Sequence, residues 1–475
     1  MARTLTNYDP AEHRPRVSDY FLSRRQLLTK AGMGMGSLSL AMLMSGAMGG
    51  QEALAAGLAG SGGAGPLAPK APPLKAKAKH VIHIFASGGP SHVDTWDYKP
   101  ALQERGGKEL PGGGVAFASP FKFEKKGKSG LMISEVFPKL GECADDLCVV
   151  KSLHTDVPDH QVASRFMCTG SLQMPKPSVG SWVLYGLGTE NQNLPGFISI
   201  GGSAELRQAS FLPSLYQGVG VNYSRGMALD KVLLNIRGQF ADMDDQRLQI
   251  QLAGELDKMH AEKLHKDDQL ETRIKSFEMA FKMQTEATDA FDITKEPEAV
   301  RKAYGETNTG AQLLVARRLV ERGVRFVQVF AGGWDHHSDL QNSLRRTAAD
   351  IDQPAAALIK DLKEKHLLDD TLIIWGGEFG RTVSGDNREA RPGRNHNGAA
   401  FCTWMAGGGV KGGTSYGETD EFGARAAVNP VHIHDLHATI LRLLGFDHTK
   451  LTYTYNGRPF RLTDNFGKVV TEIIA

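Results

Sequence analysis

Three times this chain repeats one arrangement: a short apolar run, then glycines, then an acid or an imidazole. HVIHIFASGG at 80–89 leads into His92, Asp94 and Asp97. GVRFVQVFAGG at 323–333 leads into Asp335, His336 and His337. TLIIWGG at 371–377 leads into Glu378. A brief apolar run that stops at glycine reads as a buried strand. LCVVKSL at 147–153, LPGFISIGG at 194–202 and AAFCTWMAGGG at 399–409 read as further strands. Helical patterns separate them at 310–323, 339–366 and 434–445. Strands alternating with helices predict an α/β fold with a largely parallel sheet. In such folds sites gather at the carboxyl ends of strands, which is where these polar clusters fall.

The ends of the chain read differently. FLSRRQLLTKAGMGMGSLSLAML places Arg24 and Arg25 before a weakly apolar, glycine-rich run, and ALAA follows at 53–56. This is the layout of a signal peptide over 1–55, cleaved after Ala55, and it resembles a twin-arginine (Tat) signal. The expected location is periplasmic or extracellular, with the Tat export machinery as a partner. Residues 56–79 are Gly, Ala, Pro and Lys and read as a flexible linker. The folded domain is expected over 80–475. Within it, 228–292 is rich in Leu, Met, Glu, Lys and Gln and reads as a long helical insertion. No stretch after the leader has the length of a membrane span. The formal charge of +2 gives no field that would point to nucleic acid. Cys143, Cys148, Cys168 and Cys402 form no CxxC pair, so no structural zinc is expected from them. In an exported chain they can form one or two disulfides, which the sequence does not assign.

Two more polar clusters flank strands. His154, Asp156, Asp159 and His160 follow the strand at 147–153, and Arg394 and His396 precede the strand at 399–409. A lone His or Asp in a loop is most often an ordinary hydrogen-bonded residue. Recurrence at strand ends changes that weighting, because the sheet brings distant ends together. Carboxylates with neutral imidazoles suit zinc, manganese or a similar divalent ion. Two such ions can clamp both oxygens of a phosphoryl-type displacement. Arg165, Arg381 and Arg394 offer bidentate donors for a tetrahedral anion.

GGPSHVDTWDYKP, SWVLYGLGTENQNLPGFISI, GGWDHH, GGEFGRT, GRNHN and HDLHATILRLLGFDHTKLTYTYNGRPFRLTD, together with the leader, resemble the DUF1501 family of the alkaline phosphatase/sulfatase superfamily. The resemblance implies a sheet with helices on both faces and a two-metal site. It places Asp94, Asp335, His337, Glu378 and His396 at metal positions, and makes His434, Asp435 and His437 capping or core residues. Phe379 stands where the superfamily has a histidine, so one ligand is missing or comes from His92 or His336. Thr169-Gly170 closes the helix that begins with the superfamily's nucleophile, yet counting back reaches His160 and no hydroxyl. No Cys-x-Pro-x-Arg sulfatase signature is present.

Two functions arise as expectations. One is an exported metal-dependent hydrolase of phosphate or sulfate esters. His92, Asp94, Asp335, His337, Glu378 and His396 would hold the metal, His160 would act as acid/base or ligand, and Arg165 or Arg394 would stabilise developing charge. The other is a non-catalytic exported protein of the same fold that binds an anionic or sugar polymer or an envelope partner.

Overall fold

The computed structural model describes residues 66–172, 175–191, 193–232, 289–386 and 391–475. The leader and most of the insertion expected over 228–292 lie outside these residues.

The apolar runs form the strands expected of them. In chain order these are β1 (His80–Phe85), β2 (Leu147–His154), β3 (Phe197–Ile200), β4 (Val219–Val221), β5 (Phe326–Phe330) and β6 (Thr371–Gly376). A two-residue pair, β7 (Gly380–Arg381) and β8 (His396–Asn397), precedes β9 (Phe401–Ala406), β10 (Thr414–Tyr416) and β11 (Val431–His432). The principal sheet has nine strands in the order β10-β2-β9-β6-β1-β5-β3-β4, with β11 also beside β2. Central β1 runs parallel to β5 on one side and to β6 on the other. β9 runs against both its neighbours, so the sheet is mixed but mostly parallel.

Alternation within each strand explains the layers. In β1, Ile82 and Ile84 join one core while Val81 and Phe85 join the other. The helices Asn308–Glu321 and Leu340–Glu364 cover the first face. His160–Thr169, Val179–Leu187 and Ile433–Leu443 cover the second. Each buried Val, Leu, Ile or Phe contributes roughly 1.5–3 kcal/mol, so a strand apolar on both faces has no stable exposed alternative.

The helix His160–Thr169 carries a candidate site residue at its first position and is fixed at both ends. Asp159 caps its start by accepting the N–H of Val162. Gly170 ends it in the left-handed region at φ 63°. A Cβ there would also lie 2.3 Å from the carbonyl oxygen of Leu462, so glycine is required twice over.

Residues 66–79, read from composition as linker, are laid along the domain. Lys70 N–H donates to the Leu187 carbonyl, Leu74 N–H to Gly445, and Lys77 and Ala78 N–H to Leu443. All four cysteines are buried free thiols. No helix among the described residues is long and apolar enough to cross a membrane.

The interior also holds neutral imidazoles. Burial pushes the pKa of His83 and of His437 down to about 4 and that of His434 down to about 3. Each is depressed in the fold, so its contribution is whole above the unfolded value near 6.5 and is lost as pH falls towards 4. The unfolding midpoint is therefore expected to drop steeply between pH 6.5 and 4 in calorimetric scans. A flat profile over that window would contradict the burial of these rings.

Candidate metal centre

Parallel β1, β5 and β6 are neighbours, so the loops at their carboxyl ends meet. β2 ends at the same edge and runs into His160. Because β9 is reversed, the residues before it also arrive at this edge, and they carry His396. The β1 and β5 loops touch closely: a Cβ on Gly88, whose φ is 113°, would lie 2.5 Å from the Asp335 backbone nitrogen.

Four side chains converge here. Asp335 Oδ1 lies 3.3 Å from His160 Nε2, 3.0 Å from His337 Nε2 and 3.3 Å from His396 Nε2. His337 Nε2 and His396 Nε2 are 3.0 Å apart. His160, Asp335 and His396 form a group whose ligand atoms all lie within 4.8 Å of one another.

The far nitrogen of each ring is engaged from behind. His160 Nδ1 is 2.6 Å from Glu378 Oε1, which also accepts the Gly88 N–H. His337 Nδ1 is 3.1 Å from Asp386 Oδ2. His396 Nδ1 is 2.9 Å from the Pro158 carbonyl oxygen. Carboxylates and carbonyls accept, so each Nδ1 carries the proton and each neutral ring turns an Nε2 lone pair inward. Three lone pairs and a carboxylate oxygen then face one another. His160 Nε2 is buried and has no hydrogen-bond partner.

Arg381 already reaches two of these atoms, with Nη1 3.4 Å from His337 Nε2 and Nη2 2.5 Å from Asp335 Oδ1, and the group as a whole suits a divalent cation beside it. Tetrahedral zinc ligands about 2.0–2.1 Å from the ion stand about 3.3 Å apart, close to the spacings found. Histidines oriented from behind by carboxylate or carbonyl acceptors are the usual outer support of such a centre. The donors therefore fit a zinc-type divalent ion. Asp335 is 47% exposed, which leaves one side of the group open to solvent.

Charge around the group is arranged to match. Glu378 raises the pKa of His160 by accepting its hydrogen bond, against the opposing effect of burial. Burial lowers that of His396. Burial alone would raise that of Asp335, but the Arg381 guanidinium outweighs it and holds the carboxyl well below its usual range. Arg381 Nη2 lies 2.5 Å from Asp335 Oδ1, and its Nε donates to the Gly89 carbonyl. Phe379 packs beneath the rings of His160 and His396, with centroids 4.8 and 4.7 Å away.

Several residues expected at the site are elsewhere. Asp94, expected as a ligand, is fully buried against Arg394, whose Nε and Nη2 donate to its two oxygens at 2.6 and 3.0 Å. A guanidinium thus satisfies this carboxylate. Arg394, expected to stabilise developing charge, spends its remaining donors on the carbonyls of Thr382, Val383 and Phe117. His92 is buried with Nε2 on the Gly423 carbonyl at 2.7 Å and Nδ1 against Gly380, outside the group. Glu378 stands behind His160 rather than among the converging atoms. Arg165 faces Glu205 at 3.5 Å and the Leu172 carbonyl at 3.4 Å. His336 turns to Thr347 Oγ1. Asp435, expected as a capping or core residue and not at the site, completes a capping box with His432, and His434 and His437, expected likewise, are buried. Sequence reading missed Asp386 and Pro158, since neither has a signal before its partner ring is placed.

A family model described as "Protein of unknown function (DUF1501)" matches residues 78–474. No curated protein matches. Among solved structures, Ps i-CgsB aligns at 13% identity and TM-score 0.37, covering 78% of this chain and 72% of its own. PsFucS1 sulfatase from Pseudoalteromonas sp. aligns at 14% and 0.33, covering 81% and 74%. Alkaline phosphatase from the Antarctic bacterium TAB5 aligns at 11% and 0.32, covering 79% and 99%. Likeness of this size says nothing about what this chain binds.

Proposed function

Because the chain belongs to the DUF1501 family, which has no assigned function, we propose one from the site: a metal-dependent hydrolase of phosphate or sulfate esters in which His160, Asp335, His337 and His396 hold one divalent cation. The supporting observation is the convergence of three Nε2 atoms on Asp335 Oδ1 with every Nδ1 engaged from behind. The ester class rests on the sequence resemblance. The signal-like pattern over 1–55 supports a location outside the cytoplasm in this reading.

Such an ion supplies Lewis acidity and a water acidified towards pKa ~7. The protein's own part is to hold the donors. Glu378 fixes the tautomer and tilt of His160, Asp386 those of His337, and the Pro158 carbonyl those of His396. Arg381 keeps Asp335 ionised. Phe379 closes the floor against water. The exposed side of Asp335 lets an ester approach. The helix that begins with His160 presents no hydroxyl there, so water is the nucleophile.

Glu378→Gln keeps the shape but weakens the hold on His160 Nδ1–H. Ion affinity is expected to fall about 10–100-fold in competition with a chelator. Unchanged affinity would remove Glu378 from the supporting role.

A second reading, an exported polymer-binding protein, draws on Arg394 being spent on Asp94. The deciding experiment is a screen of aryl phosphate and sulfate esters with metal-loaded protein. Turnover lost to chelator and restored by metal supports the hydrolase. Specific retention on an anionic or sugar polymer column with no turnover supports the second reading.

A further inference from the structure

Asp94 and Arg394 lie outside the converging donors, yet Arg394 touches the loops after all three central strands. Its side chain reaches the short helix His92–Thr95 that follows β1, where Nε and Nη2 donate to the two oxygens of Asp94. Nη1 donates to the carbonyls of Thr382 and Val383, in the loop after β6 and β7. Its backbone N–H donates to the His336 carbonyl at 3.0 Å, between Asp335 and His337 in the loop after β5. Its own carbonyl accepts Arg381 Nη1 at 3.1 Å, and Arg381 in turn holds Asp335.

The neighbours of Arg394 are pinned with it. A Cβ on Gly393 would lie 2.2 Å from the His337 carbonyl carbon and 2.4 Å from the His336 oxygen. Two stretches of backbone therefore meet here at a distance that only glycine allows. Two residues beyond Arg394, His396 pairs with Arg381 across β7 and β8. A ribbon of two residues per strand is too short to hold itself in place. The ion pair, fully buried at both members, anchors this stretch to the β1 loop. A bidentate contact between guanidinium and carboxylate fixes orientation as well as distance.

We propose that the Asp94–Arg394 pair is a positioning device for the centre, setting where Asp335, His337 and His396 stand relative to β1. The inference rests on reading that group as an ion site. Neither side chain belongs to the group. Both act through Arg381, the His336 carbonyl and the short run of chain to His396.

The test sets ion affinity against stability in the double variant Asp94→Asn with Arg394→Met. Removing both charges leaves the fold close to the parent's stability. Zinc affinity, read by competition with a chelator, is nonetheless expected to fall about 10–100-fold. Arg394→Lys keeps the charge but loses the fork, and its loss is expected at the lower end of that range. It serves as the test if the double variant does not fold. Zinc affinity equal to the parent's in a folded variant overturns the proposal, since a merely structural pair gives affinity back with stability. Lower turnover at undiminished zinc affinity also overturns it, because that would be a direct role of Arg394 on the ester. Parent protein that binds no zinc overturns the ion reading itself, and this proposal with it, before any variant is compared.

Discussion

Asp335→Asn is expected to abolish both retention of a divalent ion and ester turnover. Asp335 Oδ1 is the one atom that all three inward nitrogens approach, at 3.0–3.3 Å. The amide keeps the size of the side chain and an oxygen for Arg381, so the fold has no reason to fail. It removes the only negative charge among the converging donors. Affinity is expected to fall on the order of a thousandfold, well beyond the 10–100-fold typical of an outer-shell change. Elemental mass spectrometry after dialysis reads the first effect, and initial rates on an aryl ester read the second. A variant that keeps its ion and its rate would end the proposal that this group is the centre.

Arg394→Met should have the largest effect on stability. Asp94 and Arg394 are both fully buried, and among the described residues Arg394 is the cation that pairs with Asp94. Breaking a buried pair on one side typically costs about 3–5 kcal/mol, because the remaining charge is uncompensated. The double variant Asp94→Asn with Arg394→Met should recover most of that loss, since replacing both members of such a pair can be nearly neutral. Denaturant titration of the four proteins in this cycle measures the coupling. A single variant as stable as the parent would show that Asp94 has another partner. Loss of turnover at undiminished stability would return Arg394 to the substrate.

Parts of this molecule were legible from sequence for physical reasons. β1, β5 and β6 are buried on both faces, so their residues are nearly all apolar and their ends are abrupt. Asp335 and His337 stand out because polar groups that come just after parallel strands must sit at one edge of the sheet; His396 joins them because β9 is reversed, which the apolar pattern does not encode. Asp94 misled because a carboxylate after a strand looks the same whether a metal or a guanidinium neutralises it. The partner that decides is 300 positions away. His160 left two roles open, acid/base or ligand, and the sequence holds no sign of the Glu378 carboxylate that stands 2.6 Å behind its Nδ1. The segment 66–79 reads as linker because its docking is carried by backbone N–H groups, which composition does not encode.

That docked segment also sets which way the molecule faces. Leu67 accepts the N–H of Thr189, just ahead of the start of β3, and Ala78 leads into the start of β1. Both contacts are at the amino edge of the sheet, while the imidazoles and Asp335 crown the carboxyl edge. Anything joined ahead of Pro66, whether a bead, a surface or a second protein, is therefore attached at the pole opposite the centre. Immobilised through that end, the protein would present its open donor group outward, towards material arriving from solution.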